Sequence, residues 1–215
     1  MPKGPDLIEL RADFLSEIND IKNVVNLVNS MMDKTDIPLL FTIRSSREGG
    51  EEIALNELEV LKLLKEICVR TDVYMIDYEV DNQSQNITEL IDCAKKYDKK
   101  IILSYHNFKQ TPSDDVLIEK VIKMAGLRAD HAKIAVMPNK ERDVFRLLEL
   151  TQQLTSEVSI PLTTMSMGEK GKISRSLGWI YGSKITFAVG VKSSAPGQIE
   201  IELLKEGIHA INQII

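Results

Sequence analysis

The chain has 215 residues, of which 43% are hydrophobic and 27% charged, and its formal net charge is −5. This composition can supply a packed core, while the acidic balance argues against nucleic acid or an anionic membrane surface as a partner. No apolar run approaches the roughly 18 residues that a membrane span needs, and the start MPKGPDLIEL lacks the apolar segment of a secretory signal, so we expect a cytoplasmic protein.

Short apolar runs rich in strand-forming residues recur roughly every 30 residues and predict parallel strands joined by helices. Seven runs begin at Asp6, Pro38, Val73, Ile101, Ala132, Pro161 and Ile185. Apolar residues at helical spacing predict helices between them, over residues 18–31, 58–68, 87–94, 140–154 and 199–214, with one more after Ser113. No linker or change of composition interrupts this alternation, so we expect a single domain over residues 1–215.

Strict alternation of strands and helices fits either an open doubly wound sheet or a TIM-type barrel. Polar residues such as Asp77 and Glu79 fall late in nearly every run. A barrel gathers the carboxyl ends of all its strands around one site, so this spread favours the barrel. The prediction is an α/β chain with a TIM (β/α)8-type barrel, in which only seven strands are recognisable.

Charged residues at the ends of the first two runs are candidates for chemistry. Glu9 and Arg11 are two apart in a strand and therefore share one face. From the pattern alone they belong to a site or form a structural ion pair. Arg44 ends the second run, and Glu48 follows in a loop with two consecutive glycines, which permit close approach of the backbone.

Lys133 and His106 lie in or at the end of later runs. Buried within HAKIAVMP, Lys133 would be a desolvated nucleophile suited to a Schiff base with a ketone; at the strand mouth it would reach solvent. His106 ends the run IILSYH, and histidine suits general acid–base catalysis at neutral pH. Its alternative role is that of a hydrogen-bonded structural residue.

The segments after the last two runs are punctuated by glycine. Arg175 follows MSMGEKGKIS in a predicted loop, where it would bind a substrate carboxylate or remain a solvated surface arginine. Met165 and Met167 are either core residues or apolar walls around the lysine. The loop from Lys192 to Gln198 is rich in turn-forming residues and is predicted to fold over a ligand.

Motifs for cofactors are missing from the sequence. It has neither a phosphate-binding P-loop nor a G-x-G-x-x-G segment. The histidines are scattered, and the two cysteines, Cys68 and Cys93, form no C-x-x-C pair. We therefore expect no metal and no nucleotide cofactor.

Taken together, the segments resemble the type I 3-dehydroquinate dehydratases, or 3-dehydroquinases, of the shikimate pathway. The matching segments are ELRAD, FTIRSSREGGE, MIDYE, SYHNFKQTP, KIAVMP, TMSMGEKGKISR, FAVG and SAPGQI. They follow the family order over essentially the whole chain. The resemblance implies a lyase that converts 3-dehydroquinate to 3-dehydroshikimate without a cofactor or metal, and it implies a homodimer.

The resemblance also implies roles for individual residues. Lys133 would form the Schiff base, His106 would transfer protons, and Glu48 would orient and tune the histidine. Arg175 would hold the substrate carboxylate. The remaining substrate-binding set that the resemblance implies is Glu9, Arg11, Arg44, Ser194 and Gln198, with Met165, Met167, Phe187 and Ala195 around the ring.

One departure from the family concerns the N-terminal segment. Family members typically have a β-hairpin and a first βα unit before the Glu-x-Arg pair, which here is Glu9 and Arg11 after only MPKGPDLI. We therefore expect a shortened, seven-stranded and incompletely closed barrel. Two alternatives stay open: a class I aldolase-like barrel that shares the lysine, and a shortened form with impaired or no activity that only binds a ligand.

Overall fold

The structure is a computed structural model of the chain and describes residues 4–190 and 194–214. In these residues the chain forms six strands, seven α-helices and three short 3-10 helices. The strands are β1 (Ile8–Arg11), β2 (Leu39–Thr42), β3 (Met75–Glu79), β4 (Lys100–Asn107), β5 (His131–Val136) and β6 (Leu162–Ser166). The α-helices are α1 (Ile21–Met32), α2 (Glu57–Arg70), α3 (Ser84–Lys96), α4 (Asp114–Gly126), α5 (Glu141–Glu157), α6 (Gly168–Leu177) and α7 (Ile201–Asn212). The 3-10 helices are Ala12–Phe14, Ser46–Glu48 and Gly178–Tyr181.

The six strands form one parallel sheet in which neighbours follow the order of the sequence, β1 to β6. A doubly wound sheet reverses its strand order at a switch point, whereas sequential order is that of a TIM-type fold. Every residue of β2, β3, β5 and β6 is buried, as expected for parallel strands covered on both faces. Register places Arg11 opposite Thr42, and Thr42 opposite Asp77.

Contacts divide the chain into two compact units. The first unit is Pro5–Ser104 with Gly126–Asp130, and the second comprises Gly4, Tyr105–Ala125 and the described residues after Asp130. Strands β1 to β3 and most of β4 belong to the first unit; β5, β6 and the last three residues of β4 belong to the second. The single domain over residues 1–215 stays a prediction.

Local sequence signals explain where the helices begin. The side chain of Asn56 accepts hydrogen bonds from the backbone N–H groups of Leu58 and Glu59, and Glu59 accepts one from the N–H of Asn56 at 2.8 Å. This reciprocal cap satisfies amides that the first turn of α2 leaves without helical partners. None of the helices in the described residues is long and apolar enough to cross a membrane.

The seventh predicted strand, from Ile185, is not formed over the described part of that run, which ends at residue 190. In the described residues this run makes only an isolated parallel bridge between Val189 and Glu200. Side chains take up backbone groups that a strand ladder would use: the N–H of Ile185 donates to Oγ1 of Thr163 at 3.0 Å, and the side chain of Arg175 donates to the carbonyl of Phe187. The predicted count of seven strands was therefore wrong for the described residues.

The predicted loop around Arg175 was also wrong, because this residue lies in helix α6. The glycines there permit close packing. A Cβ atom on Gly171 would lie 2.3 Å from the carbonyl carbon and oxygen of Ser166, at the end of β6. Ser174 reinforces this approach, since its Oγ accepts from the N–H of Ser166 at 2.9 Å and donates to the carbonyl of Gly171 at 2.7 Å.

Candidate active site

Arg11, the last residue of β1, forms a two-pronged ion pair with Asp13. Nε of Arg11 lies 2.8 Å from Oδ1 and Nη2 lies 2.6 Å from Oδ2. The guanidinium also lies over the ring of Phe14, 4.8 Å from its centroid. Glu9, on the same strand face, accepts a hydrogen bond from Oγ1 of Thr42 at 2.9 Å. Both residues predicted at this strand end therefore have defined partners.

Asp13 is a site residue that the sequence analysis missed. Its side chain is fully buried, and it accepts two backbone N–H groups, from Arg44 at 3.3 Å and from Glu51 at 3.2 Å. Burial by itself raises the pKa of a carboxyl group, but the hydrogen bonds and charge of Arg11, together with the two amides, outweigh it and lower the pKa of Asp13. Asp13 is therefore a buried anion.

Arg44 follows β2 and is buried among acidic groups. Its Nη2 lies 2.7 Å from Oδ1 of Asp77, and its Nη1 lies 3.2 Å from Oε1 of Glu79 and 2.9 Å from Oγ of Ser104. The Ser104 hydroxyl in turn donates to Asp77 at 2.6 Å. Burial lowers the pKa of a guanidinium, but Asp77, Glu79 and Glu48 outweigh it and raise the pKa of Arg44 above its ordinary value. Arg44 is a fixed cation.

Glu48 lies in the 3-10 helix after β2, buried, with Oε2 3.6 Å from Nη1 of Arg44. Burial and then the charge of Glu79 raise the pKa of Glu48 to about 9, against the lowering effect of Arg44. Asp77 and Glu79 take the hydrogen bonds of this guanidinium, so Glu48 is the carboxyl group that holds a proton at neutral pH. It can donate a hydrogen bond when protonated and accept one when ionised.

The close backbone approach predicted after Glu48 is confirmed at Gly50. A Cβ atom there would lie 2.0 Å from the carbonyl oxygen of Arg44, so only glycine fits. Its N–H donates to the carbonyl of Ser45 at 2.9 Å, and the preceding Gly49 has a φ of 83°, which favours glycine. The segment bearing Glu48 is thus a tight turn.

Lys133 is the third residue of β5 in the second unit. It is only 4% exposed, so the alternative of a lysine reaching solvent at the strand mouth is excluded. Nζ lies 4.3 Å from the centroid of the Phe187 ring, whose negative face attracts a cation. A lysine shielded from water in this way is suited to nucleophilic chemistry.

Apolar side chains pack together on the same strands. Met165 and Met167 are buried in one cluster with Ala135. Phe108, Met137 and Phe187 pack against it. Because Phe187 contacts both this cluster and the Lys133 ammonium, the methionines belong to the apolar surroundings of the lysine.

Arg175 is 2% exposed, so the alternative of a surface arginine is excluded. Its guanidinium donates to the carbonyl oxygens of Phe187 at 3.1 Å and Pro196 at 3.2 Å, and Nη1 lies 3.5 Å from Sδ of Met165. Burial lowers the pKa of Arg175 to about 10. In the part of the chain that the structure describes, Nε has no hydrogen-bond partner and no carboxylate pairs with this cation.

The other predicted residues of the second unit lie on β4 and before α7. His106 is the next-to-last residue of β4 and is half-buried. Oε1 of Gln198 accepts from the N–H groups of Ser194 at 2.9 Å and Ala195 at 3.4 Å, and its Nε2 donates to Oγ of Ser194 at 3.4 Å. The segment from Ser194 therefore closes on itself, whereas Lys192, the predicted start of this loop, lies outside the described residues.

In the first unit, hydrogen bonds to side chains that were not predicted as site residues hold Arg11 and Arg44 in place. Asp13 and Ser104 were missed, while Asp77 and Glu79 were recognised only as polar residues at a strand end. The signal for Asp13 was its place two residues after Arg11 in ELRAD. Over residues 4–190 and 194–214, no group of three or more His, Cys, Asp or Glu side chains is arranged to hold a metal ion.

A parallel sheet whose strands follow the order of the sequence, with buried charged residues at the strand ends, places the chain in the TIM-type α/β class. The family model of type I 3-dehydroquinase matches residues 1–215. The chain belongs to this family and is an enzyme of its type. The resemblance stated from the sequence is thereby confirmed, and the aldolase-like and ligand-binding alternatives find no support.

Relatives and solved structures agree with the family assignment. A 3-dehydroquinate dehydratase from Albidiferax ferrireducens is 47% identical over 203 residues, which are 94% of this chain and 77% of the relative. The crystal structure of 3-dehydroquinate dehydratase from Geobacillus kaustophilus has 40% identity and a TM-score of 0.96, and the match covers 98% of this chain and 82% of that one. A type I 3-dehydroquinate dehydratase from Clostridium difficile, solved with covalently modified comenic acid, has 38% identity and a TM-score of 0.92, with 98% and 83% covered.

These matches cover nearly the whole of this chain and about four fifths of each relative. They confirm the TIM-type α/β class but give no support to a shortened barrel. The shortened form, the homodimer and the cytoplasmic location stay predictions.

Proposed function

We propose that the chain dehydrates 3-dehydroquinate to 3-dehydroshikimate through a Schiff base on Lys133. The observation on which this depends is the burial of that lysine in β5, with Nζ over the ring of Phe187. The related enzyme from Clostridium difficile was solved with covalently modified comenic acid, which fits a family site that forms covalent bonds to ligands. The following proposed roles for His106, Glu48 and Arg175 complete the reaction.

In the proposed reaction the amine of Lys133 adds to the ketone, and loss of water gives an imine. The protonated imine withdraws electrons from the adjacent carbon, from which His106 removes a proton. The electrons then expel the neighbouring hydroxyl group, which leaves as water after His106 returns the proton. Hydrolysis of the imine releases the product and restores the lysine.

Glu48 has the proposed role of orienting and tuning His106. Its raised pKa, about 9, means that it holds a proton near neutral pH. The carbonyl oxygen of a carboxyl group in this state can accept a hydrogen bond from the N–H of a neutral histidine, which leaves the unprotonated ring nitrogen to act as a base.

Arg175 has the proposed role of binding the substrate carboxylate. It is buried, and in the described part of the chain it pairs with carbonyl oxygens and a thioether rather than with a carboxylate. A buried cation without an anionic partner is costly, so an anionic ligand group should bind strongly there. The other proposed contacts to the substrate come from Glu9, Arg11, Arg44, Ser194 and Gln198, with Met165, Met167, Phe187 and Ala195 around the ring.

Reduction with borohydride in the presence of 3-dehydroquinate tests the proposal. Borohydride converts an imine into a stable amine, so the peptide containing Lys133 should gain the mass of the reduced adduct. The Lys133→Ala variant should gain no adduct and show no turnover. Lys62→Ala is the matched control, because Lys62 is an exposed lysine of α2, and it should be labelled like the wild type. Labelling elsewhere, or turnover by Lys133→Ala, would contradict the Schiff base.

The remaining predictions concern the whole protein. We propose one cooperative domain and, from the resemblance to the family, a homodimer. A single unfolding transition and a sedimentation mass of twice 24.2 kDa would support these proposals. Two separate transitions would contradict the single domain, and a monomer mass at micromolar concentration would contradict the dimer.

A further inference from the structure

The carboxylate of Asp13 accepts four hydrogen bonds from three parts of the first unit. Its Oδ1 accepts from Nε of Arg11 and from the N–H of Arg44, at 2.8 and 3.3 Å. Its Oδ2 accepts from Nη2 of Arg11 and from the N–H of Glu51, at 2.6 and 3.2 Å. Each oxygen thus receives one guanidinium donor and one backbone amide, which uses the lone pairs of an ionised carboxylate fully.

The two backbone donors lie at the ends of the segment that bears Glu48. Arg44 begins this segment and Glu51 ends it. Between them the chain folds into a tight turn, in which the N–H groups of Glu48 and Gly50 donate to the carbonyl of Ser45 at 3.0 and 2.9 Å. One buried carboxylate therefore connects both ends of the turn to β1.

We propose that Asp13 is a positioning residue for the dehydration. It fixes the guanidinium of Arg11 for substrate binding and, through the amides of Arg44 and Glu51, the turn that presents Glu48. This inference rests on the proposed function of the site. A two-pronged ion pair holds an arginine in one orientation better than a single hydrogen bond does, and small displacements of catalytic groups reduce rates strongly.

Asp13→Asn separates the charge from the packing. An amide has nearly the shape of the carboxylate but only one acceptor oxygen. Its NH₂ group must replace either Oδ1 or Oδ2, and each of those oxygens faces one N–H of Arg11 and one backbone N–H. In either orientation the variant therefore loses one prong to Arg11 and the attachment of one end of the turn.

Steady-state kinetics with 3-dehydroquinate test this role. In Asp13→Asn we expect KM to rise because Arg11 is held less firmly for substrate binding. We expect kcat to fall because the turn that bears Glu48 is displaced, and kcat/KM should fall by roughly 10- to 100-fold. The same substitution in an Arg11→Ala background should no longer raise KM but should still lower kcat. A purely structural residue would give equal effects in both backgrounds, and that result would overturn the proposal.

Asp20→Asn is the matched control in the same unit. Asp20 is exposed and caps α1 by accepting the N–H of Asn23 at 3.0 Å. Asparagine caps a helix about as well as aspartate, so this replacement should leave stability, KM and kcat close to the wild type. Should Asp13→Asn fail to fold, Asp13→Glu keeps the charge but moves the carboxylate by about one methylene. It should show the same pattern in KM and kcat, and wild-type constants for it would overturn the proposal equally.

Turnover by the wild type distinguishes failure of the proposed function from failure of the positioning role of Asp13. If the wild type does not dehydrate 3-dehydroquinate, the proposed function fails and this inference falls with it. If the wild type is active and Asp13→Asn matches it, only the positioning role fails.

Discussion

The Nη2 atom of Arg44 lies 2.7 Å from Oδ1 of Asp77, and both side chains are buried. The same guanidinium reaches Glu79 at 3.2 Å and Glu48 at 3.6 Å. Three carboxyl groups therefore share one cation. The three carboxyl groups explain the fixed charge of Arg44, while burial and then the charge of Glu79 raise the pKa of Glu48 to about 9.

Replacing Arg44 by methionine should destabilise the protein strongly. Asp77 and Glu79 would lose the buried guanidinium that they share, although Glu79 also lies 3.6 Å from the exposed Arg47. Removal of one partner from a buried ion pair typically costs roughly 3–5 kcal/mol. Urea unfolding at pH 7 measures the change in the free energy of unfolding. Lys65→Met is the control, because Lys65 pairs with Glu89 at 3.5 Å on the surface and such pairs contribute about 1 kcal/mol or less. Equal losses in the two variants would contradict this account.

Glu48 should make the stability of the protein depend on pH. Its pKa is about 9 in the folded chain against an ordinary 4.5, so between these values the folded state holds a proton that the unfolded state has released. The stabilisation is complete below pH 4.5 and is lost as the pH rises towards 9. Within this range each rise of one pH unit therefore lowers the free energy of unfolding by up to about 1.4 kcal/mol.

Glu48→Gln should remove this contribution and flatten the dependence between pH 6 and 8. The charges of Glu79, Arg44, Asp77 and Asp81 also act on the Glu48 carboxyl group, and they remain in the variant. Denaturant unfolding at several pH values gives the difference between variant and wild type. Glu52→Gln, at an exposed position, is the control and should keep the wild-type slope. An unchanged slope in Glu48→Gln would show that Glu48 is ionised.

The strands were predictable because their physical requirement is local. Both faces of a central parallel strand are covered, so its sequence is a short apolar run, and the six strands begin within two residues of the predicted starts. The run from Ile185 has the same composition but forms no strand within the described residues, where Thr163 and Arg175 take hydrogen bonds of its backbone groups. Partners far along the chain therefore decided an element that the local pattern could not.

The site was predictable by residue type but not by arrangement. The sequence left Lys133 open between burial and solvent, whereas in the structure it is buried with Nζ over the ring of Phe187, which lies 54 positions later in the sequence. The place of Asp13 two residues after Arg11 was a signal for the ion pair, but not for its backbone partners, Arg44 and Glu51, which are 31 and 38 residues away. Residues whose role is to hold others become visible only when distant segments are placed together.

Replacing His106 by alanine should separate imine formation from dehydration. The variant keeps the nucleophilic amine of Lys133, so the imine should still form, although more slowly. Borohydride should therefore still trap an adduct. Proton transfer without the histidine should lose a factor on the order of 10²–10⁴ in kcat. Absorbance of the conjugated product measures turnover, and mass spectrometry measures the adduct. His209→Ala, at an exposed position on α7, is the control and should leave both unchanged. Wild-type turnover in His106→Ala would remove this residue from the mechanism.

Replacing Arg175 by glutamine should weaken substrate binding far more than it weakens the fold. The guanidinium is buried with carbonyl partners, and burial already lowers its pKa to about 10, so its charge contributes little to folding. A charge-assisted hydrogen bond to the substrate carboxylate should be lost, which raises KM by roughly 10- to 100-fold because such bonds contribute about 1.5–3 kcal/mol. Thermal unfolding with and without 3-dehydroshikimate, together with KM, measures both effects. Arg142→Gln, at an exposed position on α5, should match the wild type. An unchanged KM in Arg175→Gln would place the substrate carboxylate elsewhere.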